Sequence, residues 1–569
     1  MRNIVLVFLA GVLTIGTALY RWAGLHRESP PADLTVIWGD EPESLNPHVI
    51  SGVLEARYID ALYEGLTTYD PATLDPVPGV AERWEISPDG LRYRFHLRAD
   101  ARWSNGDPVT AHDFVWSWRR LMDPRTTGPY AYILYPIRNA QKINETKPDQ
   151  LTDDLVATLG VAAADDRTLD VDLESPTAYF LELCGFMTAA PVHRPTVERY
   201  GRQWAQPGRL VGNGPFVLEE WTHHHRVVMA KNPLYWDHDH VSLRRVITLP
   251  VSSDVTAFNF YISGACDWIQ DPNIPASVMD EARRRPDYVS FGALGTYYFR
   301  FNLTRPPFGV PPPGRPGAPS DADRPAALAK ARKTRLAFTL AADRTGICER
   351  ITKAGQTPAF RMVPPGMRVG SVPYDEPDAF GPPKGYPRDV ERAARIFREA
   401  WPDPKEFPDN ASLMCRDTGT DIAEVLQDNW LKVLGVKIRL KKQDWNAYLE
   451  SLDHLDYDMA WSGWWGDYND PNTFLDMWLT GGGNNDTGFS DPRYDELIRL
   501  AAREIDPAKR RAFFHEAETI LIDREIVICP VYQPVSYNLM NPRIRGMHPN
   551  LRAIYPIKHL GMAPKGAAR

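Results

Sequence analysis

Cysteine is scarce and scattered: five residues in 569, at 184, 266, 348, 415 and 529, with no Cys-x-x-Cys pair. An odd count in an exported chain leaves at least one thiol free, and a chain this long needs no disulfide. Five buried, unpaired cysteines are expected, with a structural and not a redox role. The signatures of catalysis are also missing. No G-x-S-x-G elbow, H-E-x-x-H pair or P-loop occurs, so no nucleophile–base or metal set points to an enzyme. Val211-Gly212-Asn213-Gly214-Pro215-Phe216 is too short for a dinucleotide fingerprint and lacks its third glycine; it reads as the turn into a strand. Positive charge is in deficit, with a net charge of −8 and a pI near 6.0. No basic run interleaved with aromatics offsets it, which argues against nucleic acid as a partner.

Histidine clusters are the remaining candidates for metal chemistry. His223-His224-His225, read as part of a strand, alternates between faces and offers no three ligands from one side. His238-Asp239-His240 places two imidazoles together without an evident third ligand. A catalytic zinc needs three protein ligands and a structural one four. Solvated loop histidines are the expectation, with no metal and no cofactor.

What is present begins with a long uncharged run, Asn3 to Tyr20, flanked by Arg2 and Arg21. Its length lies between a secretory core of ~7–15 residues and a spanning helix of ~17–25. A cleaved signal and a retained anchor both fit, and both place the chain from about Ala32 onward outside the cytoplasm. With no cysteine near the run, lipoprotein processing is not expected. At ~150 residues per unit the chain has room for three to four domain-sized units. The 51 prolines are about twice the usual ~5 %, which suits long irregular connections.

Strands and helices alternate from Asp33 onward. Leu91, Tyr93, Phe95 and Leu97 alternate with Arg92, Arg94, His96 and Arg98, predicting a half-buried strand. Thr110 to Asp113 is a capping-box pattern ahead of Phe114, Trp118 and Leu121 at helical spacing. Further helices are predicted over 326–342, 389–400, 424–434, 494–505 and 509–522, with an alternating strand at 436–440. Residues 305–325 and 364–387 read as irregular surface segments. The pattern is α/β without a phosphate loop.

The densest chemistry lies at Trp461-Ser462-Gly463-Trp464-Trp465-Gly466-Asp467-Tyr468-Asn469-Asp470-Pro471. Glycines at 463 and 466 let a ligand or another backbone approach closely. A carboxylate at 467 beside an aromatic wall is costly unless paired. A ligand amino group would turn that cost into affinity. Equally, a Trp-rich strand can simply be core, and an Asp after Gly is a common turn former.

Six ordered segments carry a resemblance: residues 43–48, 63–66, 78–84, 93–98, 103–118 and 232–237, the most specific being Trp103-Ser104-Asn105-Gly106-Asp107-Pro108 through Trp118. From about Asp33 to Leu560 the chain resembles the family 5 extracellular solute-binding proteins, the substrate-binding proteins of oligopeptide ABC importers. The resemblance implies a two-lobed clamshell, α/β throughout, with an additional α/β domain enlarging the cleft. It places the first lobe at 33–63, 190–294 and 534–569, the extra domain at 64–189 and the second lobe at 295–533. It further implies a monomer, exported to the periplasm or the outer membrane face, that delivers extended oligopeptides to membrane permease subunits. The alternative is a membrane-anchored receptor that transports nothing, or a binder of another amine-bearing ligand.

The resemblance also assigns roles. Asp467 matches the residue that grips the peptide's α-ammonium, with Gly463 and Trp464 as strand neighbours and Tyr130 beside the same terminus. Ser51 to Val53 matches a backbone edge that pairs with the peptide. Trp445, Leu449, Asn484 and Tyr532 match side-chain pockets. Three departures stand out. Trp461 and Leu452 stand where relatives carry arginines, the former for the ligand's C-terminal carboxylate. Arg300 replaces an acidic pocket residue, offering a new cation if it faces the cleft. Gly295 and Trp465 replace two cysteines that some relatives join.

Overall fold

The computed structural model describes residues 32–564 except 271–272, 382–383 and 417–419; the apolar run at 3–20 and its signal or anchor reading lie outside the described residues. Among them no helix is long and apolar enough to cross a membrane. All five cysteines are buried, and Cys184, Cys266, Cys348 and Cys529 are free thiols.

Three sheets organise the chain. The first has seven strands in the order Tyr288–Gly292, Val535–Met540, Trp268–Gln270, Leu34–Gly39, Arg245–Pro250, Arg226–Lys231 and Phe216–Thr222. At its centre Leu34–Gly39 runs parallel to both Arg245–Pro250 and Trp268–Gln270. The second has six strands, in the order Thr357–Pro358, Ile528–Gln533, Gly295–Phe301, Met459–Trp465, Ser412–Arg416 and Arg439–Gln443. The third is a four-stranded antiparallel sheet, Ala81–Ile86, Arg92–Leu97, Thr168–Asp172 and Val161–Asp165.

Local sequence explains these elements. In Arg92–Leu97, Tyr93, Phe95 and Leu97 are buried, while Arg92 and Arg94 pair on the wet face with Asp172 and Asp170. That is the period-two pattern of a one-sided strand. Thr110 and Asp113 form the capping box of helix Ala111–Met122, which buries Phe114, Trp118 and Leu121. The predicted helices appear as Arg324–Ala341, Val390–Ala400, Thr420–Leu434, Pro492–Arg503 and Pro507–Thr519.

One reading needs correction. The strand expected at 436–440 begins at Arg439, although Val436 and Ile438 are buried as the alternation required; the apolar rhythm starts before the ladder does. The histidines at 223–225 lie in the exposed turn between two strands, as loop histidines were expected to, and His223 Nδ1 approaches Glu41 Oε1 at 2.7 Å.

The first two sheets are joined by two short crossings. Ala293 and Leu294 carry the chain from Tyr288–Gly292 to Gly295–Phe301, and Pro534 carries it from Ile528–Gln533 to Val535–Met540. The crossings touch, because Ala293 N–H donates to the Pro534 carbonyl at 3.1 Å. The cores divide on the same line. One continuous apolar core runs from the first sheet (Leu34, Val36, Phe216) into the four-stranded region (Phe95, Trp103, Trp118). The six-stranded sheet has its own, around Phe299, Phe338 and Trp430 on one face and Tyr298, Trp478 and Phe514 on the other. Separate cores joined by two short strands are the arrangement of a hinge.

Candidate ligand site between the sheets

Asp467 lies two residues beyond the end of strand Met459–Trp465 and lines a cavity of about 360 Å³. Its walls come from every layer. Trp38 and Gln270 belong to the seven-stranded sheet, Ser51 and Val53 to the start of helix Val53–Leu62, and Tyr130 and Phe186 to the four-stranded region. Trp465 and Gly466 join Asp467 from the six-stranded side.

The carboxylate is held by phenols. Tyr132 donates its hydroxyl to Asp467 Oδ2 at 2.9 Å, and Tyr130 bonds to the same carboxylate. The two tyrosine rings lie 5.5 Å apart, and Phe186 packs on Tyr130 at 5.3 Å. Arg552 approaches but donates to the backbone carbonyl of Asp467, at 3.1 Å, with its guanidinium over the Tyr69 ring. Among the described residues no basic side chain forms an ion pair with Asp467. Burial pushes its pKa up, against the pull of Tyr132, Arg552 and Tyr130. The carboxylate is therefore not bare, as the sequence suggested, but it lacks a cation. Hydroxyls satisfy its lone pairs, and among the described residues its charge has no ion-pair partner.

The strand leading to Asp467 has an open side. Met459–Trp465 pairs along its whole length with Gly295–Phe301. Its other neighbour, Ser412–Arg416, meets it only at Met459 and Ala460. From Trp461 to Trp465 that edge carries no ladder partner among the described residues, although Tyr448 donates its hydroxyl to the Trp461 carbonyl at 2.9 Å. Gly463 is required by its neighbour: an added Cβ would sit 2.7 Å from the Tyr297 ring. Tyr297 stacks in turn on Trp461 at 5.9 Å and on Tyr532 at 4.8 Å. Trp464 faces the opposite way, packed against the core that holds Trp478.

The remaining assigned residues fall as follows. Ser51 and Gly52 lie outside any sheet, Gly52 with an extended backbone, and Val53 is the first, well-exposed residue of a helix. Trp445 is half exposed, stacked on Tyr448 at 5.7 Å with the Arg416 guanidinium 4.7 Å from its ring. Leu449 is exposed on the same helix, and Asn484 is exposed in a loop. None of these three lines the Asp467 cavity. Leu452 is core. Gly295 and Trp465 are direct cross-strand partners.

Arg300 corrects the expectation of a cation facing the cleft. It is 5 % exposed and bonded to Asp486 Oδ2 at 2.8 Å, Ser462 Oγ at 3.1 Å and the Tyr298 hydroxyl at 3.1 Å. Strand alternation explains this. Tyr298 and Arg300 share the face opposite Tyr297 and Phe299, and a guanidinium there must carry its own counter-charge inward. Sequence reasoning missed Tyr132, Asp60, Gln270, Trp38 and Arg552. Only Tyr132 had a local signal, two residues after Tyr130 in an aromatic segment.

Two sheets hinged by a double crossing, with a cavity between them that ends on a carboxylate lacking an ion-pair partner among the described residues, define a two-lobed binding protein. The chain belongs to the bacterial extracellular solute-binding proteins, family 5, whose middle region matches residues 75–486. It is 33 % identical over 535 residues to the periplasmic oligopeptide-binding protein OppA of Escherichia coli, covering 92 % of each chain. To the periplasmic murein peptide-binding protein MppA of the same organism it is 32 % identical over 533 residues, covering 91 % of this chain and 92 % of that one. Among solved structures, Haemophilus influenzae OppA in complex with RPPGFSPFR superimposes with a TM-score of 0.72 at 28 % identity, over 94 % of this chain and all of that one. The family and these relatives are solute-binding proteins, not enzymes.

Proposed function

We propose that this protein captures oligopeptides outside the cytoplasm and delivers them to the permease of an ABC transporter, holding the peptide's α-ammonium at Asp467. The observation that carries the reading is the Asp467 carboxylate, bonded by tyrosine hydroxyls, without a cation, and at the end of a strand whose outer edge is open. A peptide laid along Trp461–Trp465 extends the six-stranded sheet through main-chain hydrogen bonds, which are blind to sequence. Its amino terminus then arrives beside Asp467 and supplies the missing charge. The carboxyl end has no counterpart at Trp461 or Leu452, so recognition rests on the amino end. Relatives that bind oligopeptides or murein peptides share this chain over nine-tenths of their length.

Native mass spectrometry of the protein purified from its own periplasm tests the reading. Peptides with free amino termini are expected in the cleft. A bound population of N-blocked peptides, or of molecules without an amine, would contradict it.

A further inference from the structure

The far wall of the Asp467 cavity carries polar groups that the α-ammonium does not use. Trp38 and Gln270 lie at the carboxyl ends of neighbouring parallel strands. Val36 pairs with Trp268 and Ile37 with Ile269, so the next step sets Trp38 beside Gln270 on one face of the sheet. Strand ends of this kind are where open α/β sheets bind ligands. Trp38 is 5 % exposed and Gln270 1 %, and both line the cavity. Among the described residues neither Trp38 Nε1 nor Gln270 Oε1 has a hydrogen-bond partner. The orientation of the Gln270 amide is set by its other end, since Nε2 contacts the Ala553 carbonyl at 3.5 Å, which leaves the oxygen unsatisfied.

Two further groups border the same space. Arg552 Nη1 is buried without a partner, its sister Nη2 being taken by the Asp467 carbonyl. Asp60, on helix Val53–Leu62, lines the cavity, its carboxylate drawn on by the charges of Arg552 and Lys558. Lys558, a neighbouring cation, is committed to Glu64 at 3.2 Å. Arg57 also lines the cavity and donates to the Trp38 carbonyl at 3.1 Å. Among the described residues the lining thus holds two carboxylates, Asp60 and Asp467, against two guanidiniums, Arg57 and Arg552.

We infer that Trp38, Gln270, Asp60 and Arg552 form a subsite for a carboxamide side chain on the first residue of the bound peptide. The inference rests on the amino-terminal placement proposed above. The set at the cavity wall consists of two acceptors, Gln270 Oε1 and the Asp60 carboxylate, and two donors, Trp38 Nε1 and Arg552 Nη1; of these Gln270 Oε1, Trp38 Nε1 and Arg552 Nη1 are buried without a partner among the described residues. A carboxamide answers both halves, its NH₂ donating to the acceptors and its carbonyl accepting from the donors. An ammonium side chain serves only the acceptors and adds a positive charge beside Arg57 and Arg552. An aliphatic side chain leaves Trp38 Nε1, Gln270 Oε1 and Arg552 Nη1 buried and unpaired, the situation that a polar site rejects most strongly.

Calorimetry with tripeptides that differ only in the first residue (glutamine, norleucine or lysine), each with a free or an acetylated amino terminus, tests this. Glutamine-first peptides are expected to bind about ten- to a hundredfold more tightly than norleucine-first ones. In Gln270→Leu and in Asp60→Asn that ratio should shrink. Because it is taken within each variant, a loss of folded protein does not alter it. Equal affinity for glutamine and norleucine in the wild type would overturn the subsite, as would lysine-first peptides outranking glutamine-first ones. The acetylated arm separates the two readings: if acetylation costs nothing, the placement at Asp467 fails; if it costs much while the first side chain makes no difference, only the subsite fails.

Discussion

Replacing Asp467 by asparagine removes the charge from the cleft and little else. The side chain keeps its shape, and an amide oxygen still accepts from the Tyr132 hydroxyl now 2.9 Å from Oδ2. What disappears is the counter-charge for an ammonium in a partly desolvated site. Losing one member of such a pair costs about 2–4 kcal/mol, or about 30- to 1,000-fold in affinity. Stability should move the other way. Burial holds the carboxyl's pKa in the folded protein above its ordinary 3.8. A raised folded-state pKa means that the stabilising contribution is complete below the ordinary value and is lost as pH rises through the shifted one. At neutral pH the charged form is therefore a burden to the empty protein, and asparagine relieves it. Calorimetry at pH 7.5 with a free tripeptide, together with a thermal melt of the empty variant, reads both effects. A threefold or smaller loss of affinity would refute the reasoning. So would a lower melting temperature accompanying weaker binding, because it would make Asp467 a structural residue.

Three other outcomes follow from the same geometry. Because the crossings at 293–294 and 534 are the direct strand links between the two large sheets, small-angle scattering should show a smaller radius of gyration with saturating peptide, and an identical profile would count against closure in solution. Asp486→Ala should cost roughly 3 kcal/mol in urea denaturation by stranding the buried Arg300 guanidinium, without changing any preference for acidic peptides; a shift in that preference would return Arg300 to the cleft. Glu182, whose Oε2 accepts from Asn469 N–H at 2.7 Å, has its pKa raised to about 8, first by burial and then by the Asp470 carboxylate. Its contribution is lost as pH rises through about 8, so the melting temperature should fall between pH 7 and 9, and Glu182→Gln should flatten that slope.

Much of the architecture was legible because it is written in local periodicity. The alternation at 91–97 and the capping box at Thr110 announce a strand and a helix with no help from the rest of the chain. The strand at 439–443 was displaced because burial of Val436 and Ile438 is a property of the packing, whereas the ladder depends on where Ser412–Arg416 lies. Asp467 was visible as a charge in an aromatic run. Its tyrosine partners were not, since Tyr132 lies 335 residues away along the chain. Arg300 shows the limit most clearly. Its position in the strand was readable, but the counter-ion that turns it inward, Asp486, is 186 residues distant. Gln270, Trp38, Asp60 and Arg552 carry no motif, and only the folding of three segments onto one cavity gives them a shared role.

The central claim, that the Asp467 charge meets the peptide's α-ammonium, is tested most directly by a double cycle. Binding of one tripeptide is measured with its amino terminus free and acetylated, to the wild type and to Asp467→Asn. The account predicts a large acetylation penalty in the wild type and almost none in the variant, because each change removes the same interaction. Equal penalties in both proteins would place the amino terminus elsewhere and contradict it.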